Sequence, residues 1–324
     1  MKNNQIGIIG VGYWGTNIIN VLYKIGINKI FCFDNDYKNQ KEIRKKFPKI
    51  NVISNFKKFL DLSLSGVIIS VDTKNHFNVA SECLKKGFNV FIEKPSTNSS
   101  KKLQKLNKIA VSKKLFIMSG YIYFYNNYIK YIKKIIKKKF LGKIFYVSCE
   151  RLNLGPVRSD VSSAWDLSSH DIAICNYLFD DNLSILNKEG YDFLKKKIND
   201  ISFISAKIKD IKIDIKASWL HPEKVRKIII LGKKRMLLFD ELDFKNPIKI
   251  YNKYATYPKI QNFKKNFFTQ KANIFLGSTL KPKIKSKSPL ENEMIEFIKC
   301  INCEKKPISI SKSINILKIL EKLN

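Results

Sequence analysis

Over the first third of the chain, short apolar runs alternate with stretches of helical spacing. Gln5–Ile9 is an apolar strand, Gly10–Gly15 a glycine-rich turn, and Thr16–Ile25 reads as a helix. Lys29–Phe33 is a second strand, ending at Asp34. Val67–Val71 and Phe88–Ile92 are two more, and Asn75–Lys86 between them carries apolar residues at helical spacing. Ser99 or Ser100 can cap a helix over Lys101–Ser112, and Leu115–Ser119 is another strand. This alternation predicts a doubly wound parallel sheet with helices on both faces.

After about residue 122 the period changes. Tyr125–Lys138 reads as a helix, Ile144–Arg151 as a strand and Ser163–Phe179 as a helix, firmest in its second half. Then strands follow one another: Ile201–Ile208, Ile211–Trp219, Val225–Leu231, Arg235–Phe239 and Ile248–Tyr251. Consecutive strands predict an antiparallel sheet. Residues 252–288 are Lys-rich and poorly patterned and are expected to form a loop, with Glu291–Cys303 and Ser311–Leu323 as closing helices. The fold class expected is α/β: a Rossmann domain at 1–122, then an α+β substrate and oligomerisation domain at 123–324. The second domain would have a mostly antiparallel, open sheet with helices on one side.

A length of 324 residues, 44% hydrophobic, supports two such cores. No run of about 18 apolar residues suggests a membrane span. The start of the chain lacks the pattern of a secretory signal, so a cytoplasmic enzyme is the expectation. The formal charge of +34 raises nucleic acid as a partner. Yet arginine occurs only at Arg44, Arg151, Arg158, Arg226 and Arg235, so 56 of the 61 basic residues are lysine, spread along the whole chain. Sites that read phosphates or bases favour the arginine fork. Solvated lysines, with neither specific nucleic acid nor membrane as partner, fit better. Such a surface still attracts anionic substrates. Of the cysteines, Cys32, Cys83, Cys149 and Cys175 sit mostly in apolar patterns, and Cys300 and Cys303 have C-x-x-C spacing. One such pair with no nearby histidine is weak ground for a metal, and none is expected.

Gly10-Val11-Gly12-Tyr13-Trp14-Gly15 has the G-x-G-x-x-G spacing in its required context, after a strand and opening a helix. Gly10 permits the turn, Gly12 lets backbone approach a pyrophosphate, and Gly15 allows close helix packing. Asp34, 19 residues beyond Gly15 at a strand end, can bond both ribose hydroxyls and repel a 2′-phosphate, so NAD is the expected cofactor. Asp36 is the less favoured substitute, and Lys38 and Lys41 leave room for some NADP tolerance. Glu93-Lys94-Pro95 follows a strand at the edge where open α/β sheets bind ligands. The histidines are His76, His170 and His221. Asp166 and His170 stand four apart, on one face if helical, where a carboxylate can orient an imidazole. A purely structural hydrogen bond would have the same spacing.

Taken in order, Gly10–Gly15, Thr73-Lys74-Asn75-His76, Glu93-Lys94-Pro95 and Asp166-x-x-x-His170 resemble the Gfo/Idh/MocA oxidoreductase family over nearly the whole chain. The resemblance implies NAD(P)-linked oxidation or reduction at a sugar or cyclitol carbon. It makes Lys94 the group that bonds the reacting oxygen, His170 the general base and Asp166 its support. Thr73, His76 and Glu93, with Tyr13 and Trp14 of the glycine loop, fall on the cofactor side. The segment from Arg151 to Trp165 resembles a subgroup that serves cell-surface polysaccharide and nucleotide-sugar synthesis. Arg151, Asn153 and Arg158 are its candidate substrate contacts; structural ion pairing is the competing role for the arginines. His221 is expected to be structural. Two departures stand out: Tyr121 where that subgroup leads one to expect His, and Tyr125-Asn126-Asn127 without the usual Pro.

The function expected is hydride transfer between NAD and a hydroxyl or keto carbon of a sugar, preferably nucleotide-linked, by a homodimer or homotetramer. The competing enzymes are a free sugar or inositol dehydrogenase and a family glycosidase that retains its NAD. The non-enzyme alternatives are an NAD-binding sensor and a basic nucleic-acid-binding module.

Overall fold

The computed structural model describes residues 4–158, 160–256 and 272–323. Its first part alternates strand and helix: β1 (Gln5–Ile9), α1 (Tyr13–Lys24), β2 (Lys29–Phe33), α2 (Tyr37–Lys46), β3 (Asn51–Val52), α3 (Phe56–Leu60), β4 (Gly66–Ile69), α4 (Thr73–Lys85), β5 (Val90–Glu93), α5 (Ser100–Ser112) and β6 (Ile117–Gly120). The six strands pair in the order β3-β2-β1-β4-β5-β6, every pairing parallel. Strands buried on both faces need continuous apolar runs, and Gly-Val-Ile-Ile of β4 is buried throughout. Between strands, two of the helices start at side-chain caps. Asp36 accepts the Lys38 amide at 2.8 Å to open α2, and Asn55 accepts the Lys58 amide at 3.1 Å to open α3.

After a short 3-10 turn at Ile122–Tyr125 come α6 (Asn127–Lys137), β7 (Ile144–Leu152), a π-helical turn at Ala164–Ser168 and α7 (Ser169–Phe179). Seven more strands follow: β8 (Ser184–Tyr191), β9 (Ile201–Ile208), β10 (Ile211–Ser218), β11 (Val225–Gly232), β12 (Met236–Asp240), β13 (Ile248–Thr256) and β14 (Asn273–Leu280). They form an eight-stranded sheet in the order β14-β13-β12-β11-β7-β10-β9-β8, antiparallel except for β7 with β10. The period-2 pattern puts Ile204, Ala206, Ile213, Ile215, Ile228 and Ile230 inside. The inner face carries the helices: Tyr128 of α6 lies 6.1 Å from Phe239 between ring centroids, and Cys149 and Cys175 place β7 against α7. Phe145, Phe203 and Ile229 of the strands remain exposed. The chain then continues into α8 (Pro289–Ile301) and α9 (Ile310–Glu321).

The α/β class, with one parallel and one mostly antiparallel sheet, is as the patterning predicts. The boundaries differ. The chain divides into one unit of residues 1–126 with 286–322, and a second of 127–285. The closing helices, expected in the second domain, belong to the first because their apolar faces cover its sheet. Phe297 of α8 packs edge-on against Phe91 of β5, with ring centroids 5.7 Å apart, and against Phe116 at 6.1 Å. A Cβ on Gly66 would come within 2.7 Å of Ile301. The loop expected over 252–288 is partly strand, since β13 runs to Thr256 and β14 spans Asn273–Leu280; residues 257–271 lie outside the described ones. β8 escapes prediction because it is exposed along nearly its whole length, so burial imprints no alternation on it. No helix among the described residues is long and apolar enough to cross a membrane.

Phe297→Ala should lower stability by about 3–5 kcal/mol, as large cavity-forming substitutions do. Denaturant unfolding of the full chain measures it. An unchanged midpoint would show that α8 is not part of this core.

Candidate active site

In the first unit, β1 feeds the glycine loop and α1. Gly10 has φ +90°, and a Cβ there would meet the Ser70 carbonyl oxygen at 2.5 Å. Backbone of that hand and closeness admits only glycine. Gly15 is just as tight: its Cβ would lie 2.1 Å from the Gly10 carbonyl oxygen. At Gly12 the reason differs. Nothing lies within 4 Å of a Cβ placed there, so the backbone borders open space. α1 begins at this point with no side-chain cap. An open glycine at an uncapped helix N-terminus suits an anion, which the helix dipole and amides attract.

Asp34 ends β2 beside that loop. Its Oδ2 accepts the Val11 amide at 2.7 Å and its Oδ1 the Asp36 amide at 2.9 Å, while Gln40 Nε2 donates to its carbonyl oxygen at 2.7 Å. The carboxylate therefore braces the loop and still has lone pairs to offer. A cavity of about 550 Å³ opens here, bordered by Gly10, Gly12, Asp34, Ser70, Asp72 and Asn75 among others. It lies at the carboxyl ends of β1, β2 and β4, where β1 and β4 part the connections to opposite faces, the place where such sheets bind ligands. Among the expected cofactor residues, Gly10, Gly12 and Asp34 line this cavity. Asn39, Asn75 and Asn78 also line it and were not singled out from sequence. Asn75 lay inside a noted motif, but an asparagine at a helix start looks like any other capping residue.

Thr73 opens α4, and His76 is fully buried in that helix. One ring nitrogen faces the Val71 carbonyl at 2.8 Å, the other the Pro95 carbonyl at 3.0 Å. Burial lowers its pKa, against the pull of those carbonyls. His76 thus ties the β4–α4 turn to the segment after β5, where Lys94-Pro95 is cis. Ser96 Oγ continues the tie by donating to Ser119 Oγ at 2.7 Å. Glu93 is half-buried; Trp14 Nε1 donates to its Oε1 at 2.6 Å and the Lys94 amide to its Oε2 at 3.2 Å. Desolvation raises its pKa to about 7, although Trp14, the Lys94 amide and the Lys94 charge all favour the carboxylate. Trp14, Glu93 and Lys94 are thereby brought together; Tyr13 stands exposed.

In the second unit, Asp166 lies in the π-helical turn and His170 is the second residue of α7. The spacing of four is therefore not that of a continuous α-helix, since the wider π turn rotates residue 170 relative to 166. Trp219 Nε1 donates to Asp166 Oδ2 at 3.2 Å, and Arg158 lies 3.8 Å from Asp166 Oδ1. Leu167, Ala217 and Trp219 form the apolar cluster beneath. Arg158 also makes a two-pronged pair with Asp160, at 2.9 and 2.6 Å. Asn153 Oδ1 accepts from Arg226 at 3.1 Å. Arg151 departs from its expected role as a substrate contact. It is 4% exposed, and its fork closes on Asp171 at 2.9 and 2.8 Å. Period-2 alternation on β7 turns it toward α7, so structural ion pairing is what the chain makes of it. His221 sits half-buried before a bend, its Nδ1 2.8 Å from the Glu223 carbonyl oxygen. Among the described residues no group of three or more His, Cys, Asp or Glu could hold a metal ion.

Comparison with known proteins bears on these features. Residues 4–121 match the model of the GFO_IDH_MocA oxidoreductase family, described by its NAD-binding Rossmann fold. A curated relative, the NADP(+)-dependent scyllo-inositol 2-dehydrogenase IolW of Bacillus subtilis, is 23% identical over 192 residues, covering 54% of this chain and 51% of the relative. The match thus spans about half that protein's length. Among solved structures, the UDP-N-acetylglucosamine 3-dehydrogenase GnnA of Acidithiobacillus ferrooxidans superposes with a TM-score of 0.76 at 20% identity, over 99% of this chain and 96% of that one. A putative NADPH-dependent oxidoreductase of Desulfitobacterium hafniense gives 0.82 at 16% identity, over 99% and 94%. At such identities the solved structures establish a shared fold.

Proposed function

We propose that this chain, a Gfo/Idh/MocA oxidoreductase by its residues 4–121, is an NAD-dependent dehydrogenase of a sugar, with a nucleotide-linked sugar as the substrate class. The observation that carries this reading is the cavity over Gly12 with the Asp34 carboxylate at its border. Open backbone beside an uncapped helix start suits a pyrophosphate, and a carboxylate with spare lone pairs suits ribose hydroxyls. When bound, NAD supplies the nicotinamide carbon that takes or returns the hydride. Lys94 donates a hydrogen bond to the reacting oxygen and stabilises alkoxide charge as it develops. His170 accepts the hydroxyl proton, and Asp166, steadied by Trp219, supports it. Arg158 and Asn153 remain candidates for substrate contact. A net charge of +34 draws an anionic, nucleotide-linked sugar more strongly than a neutral one. The exposed Phe145, Phe203 and Ile229 on the open sheet face support assembly into a dimer or tetramer.

Light scattering should find that assembly at micromolar protein, and a monomer at high concentration would overturn it. NADH should bind more tightly than NADPH in fluorescence titrations. Asp34→Asn keeps an acceptor for the Val11 amide but removes the charge, and should narrow the gap about tenfold, equivalent to about 1.4 kcal/mol. Equal affinities in the wild type would sink the NAD assignment.

Lys94→Ala and His170→Ala should keep near-normal melting temperatures and NADH affinity. Turnover on a panel of nucleotide sugars and free sugars should fall, by roughly 10²–10⁴-fold for His170→Ala. Asp166→Asn should do less harm. Wild-type turnover by folded His170→Ala would remove His170 as the base.

A further inference from the structure

α8 carries three glutamates with two different fates. Glu291 meets Lys24 at 2.6 Å and Lys287 at 3.3 Å, and Glu296 meets Lys305 at 2.7 Å. Glu293 is 0% exposed, and neither carboxyl oxygen has a hydrogen-bond partner. In a chain with 61 basic residues, this is the acid on α8 that no lysine or arginine among the described residues bonds.

The register of α8 on the sheet says what Glu293 faces. Ile301 sits at Gly66, the first residue of β4, and Phe297 on Phe91 in β5, so α8 runs antiparallel to the strands. Four residues back along the helix, about 6 Å, is Glu293. Two residues forward along β5, about 6.6 Å and on the same face, is Glu93. The Phe91–Phe297 contact therefore continues as Glu93 against Glu293. Room for it comes from Gly120, paired with Glu93 on β6, where a Cβ would lie 2.9 Å from Glu93 Oε2. Trp14 and the Lys94 amide donate to Glu93, and among the described residues nothing donates to Glu293. Two desolvated carboxyls at one place cannot both ionise. The one without donors keeps its proton.

We propose that Glu293 is a positioning residue: held as the neutral acid, it presents its proton to the Glu93 carboxylate and so fixes one negative charge between Trp14 and Lys94. The effect on turnover rests on the role given to Lys94 above; the protonation of Glu293 does not. Burial and the Glu93 charge hold Glu293 well above the usual carboxylate range. The other ionisable groups on the elements meeting here include Lys94, the buried Tyr123 and Tyr125 of the 3-10 turn, Tyr23 of α1, raised by desolvation, the buried Tyr121 phenol, pushed up by desolvation, and His76 against the Pro95 carbonyl, pushed down. A carboxyl raised on folding contributes stability below its unfolded pKa and loses it as pH rises. Glu293 therefore costs the native state increasingly above about pH 4.5.

Infrared difference spectra between wild type and Glu293→Gln decide the protonation state. The wild type should show the carbonyl band of a protonated carboxylic acid that persists to about pH 8, far above the ordinary carboxylate range. Its absence would overturn the proposal whatever the chain catalyses. Glu293→Gln, neutral and still a donor, should melt higher than wild type at about pH 8 and show no such gain near pH 4.5. Glu293→Leu should lower kcat about tenfold with KM little changed, and the Gln variant should restore it. Gly120→Ala, which pushes on the Glu93 carboxyl, should reproduce the Leu effect and decides the point if Glu293→Leu does not fold. A Gln variant as impaired as Leu, or Leu and Gly120→Ala variants that both turn over like wild type, would overturn it.

Discussion

A parallel sheet has to be covered on both faces, because its strands are apolar on both. In this protein that requirement governs more than the Rossmann unit itself. The strands β4, β5 and β6 are fully buried but for Glu93, and part of their cover comes from helices made at the far end of the chain. α8 lays Phe297 on Phe91 and Phe116. α9 delivers Glu321, whose two oxygens accept the Ser100 amide at 2.6 Å and the Ser100 hydroxyl at 2.8 Å. That carboxylate caps the start of α5, a role a local residue usually fills. The same sheet carries the glycine loop and the cavity beside Asp34.

The features readable from sequence are those whose physics is local. The glycine loop was legible because its three glycines keep a fixed spacing directly between a strand and a helix, and Asp34 because its place at the strand end is fixed by the strand's own length. The antiparallel strands β9 to β12 were legible because one buried face stamps period 2 on them. Where a contact partner is remote, the pattern goes silent. The spacing of Leu290, Met294 and Phe297 announces a buried helix face but not which sheet buries it, so α8 and α9 were placed with the wrong unit. Glu293 looks on sequence like one more acid in a helix that also carries Glu291 and Glu296. Arg151 looks like a substrate fork until Asp171 is seen to fill it. The Asp166 and His170 spacing suggested an α-helical face, and only the backbone reveals the π turn.

Charge is distributed with the same logic. The lysines that dominate the composition lie mostly exposed, several in surface pairs such as Lys85 with Glu82 at 2.8 Å, which contribute little to stability. The rarer arginines hold defined positions. Arg151 with Asp171 is a buried pair, and removing one partner from such a pair costs about 3–5 kcal/mol because the other charge is stranded. Arg235 stacks on Phe140 at 4.2 Å and donates to its carbonyl oxygen at 2.8 Å. A planar fork does what a lysine point charge cannot in these places.

The second unit interrupts the first, and its own ends meet: Asn127 Nδ2 donates to the Lys285 carbonyl oxygen at 3.0 Å. On a ribosome this order has a consequence in time. β5 leaves the tunnel with Phe91 bare, and Phe297 is made roughly 200 residues later; at about 5–20 residues per second that is about 10–40 s. Throughout that interval the parallel sheet is short of its cover, while the whole of 127–285 is made. The nascent chain must therefore leave its parallel sheet open on that face, and covers it only when its last helices emerge.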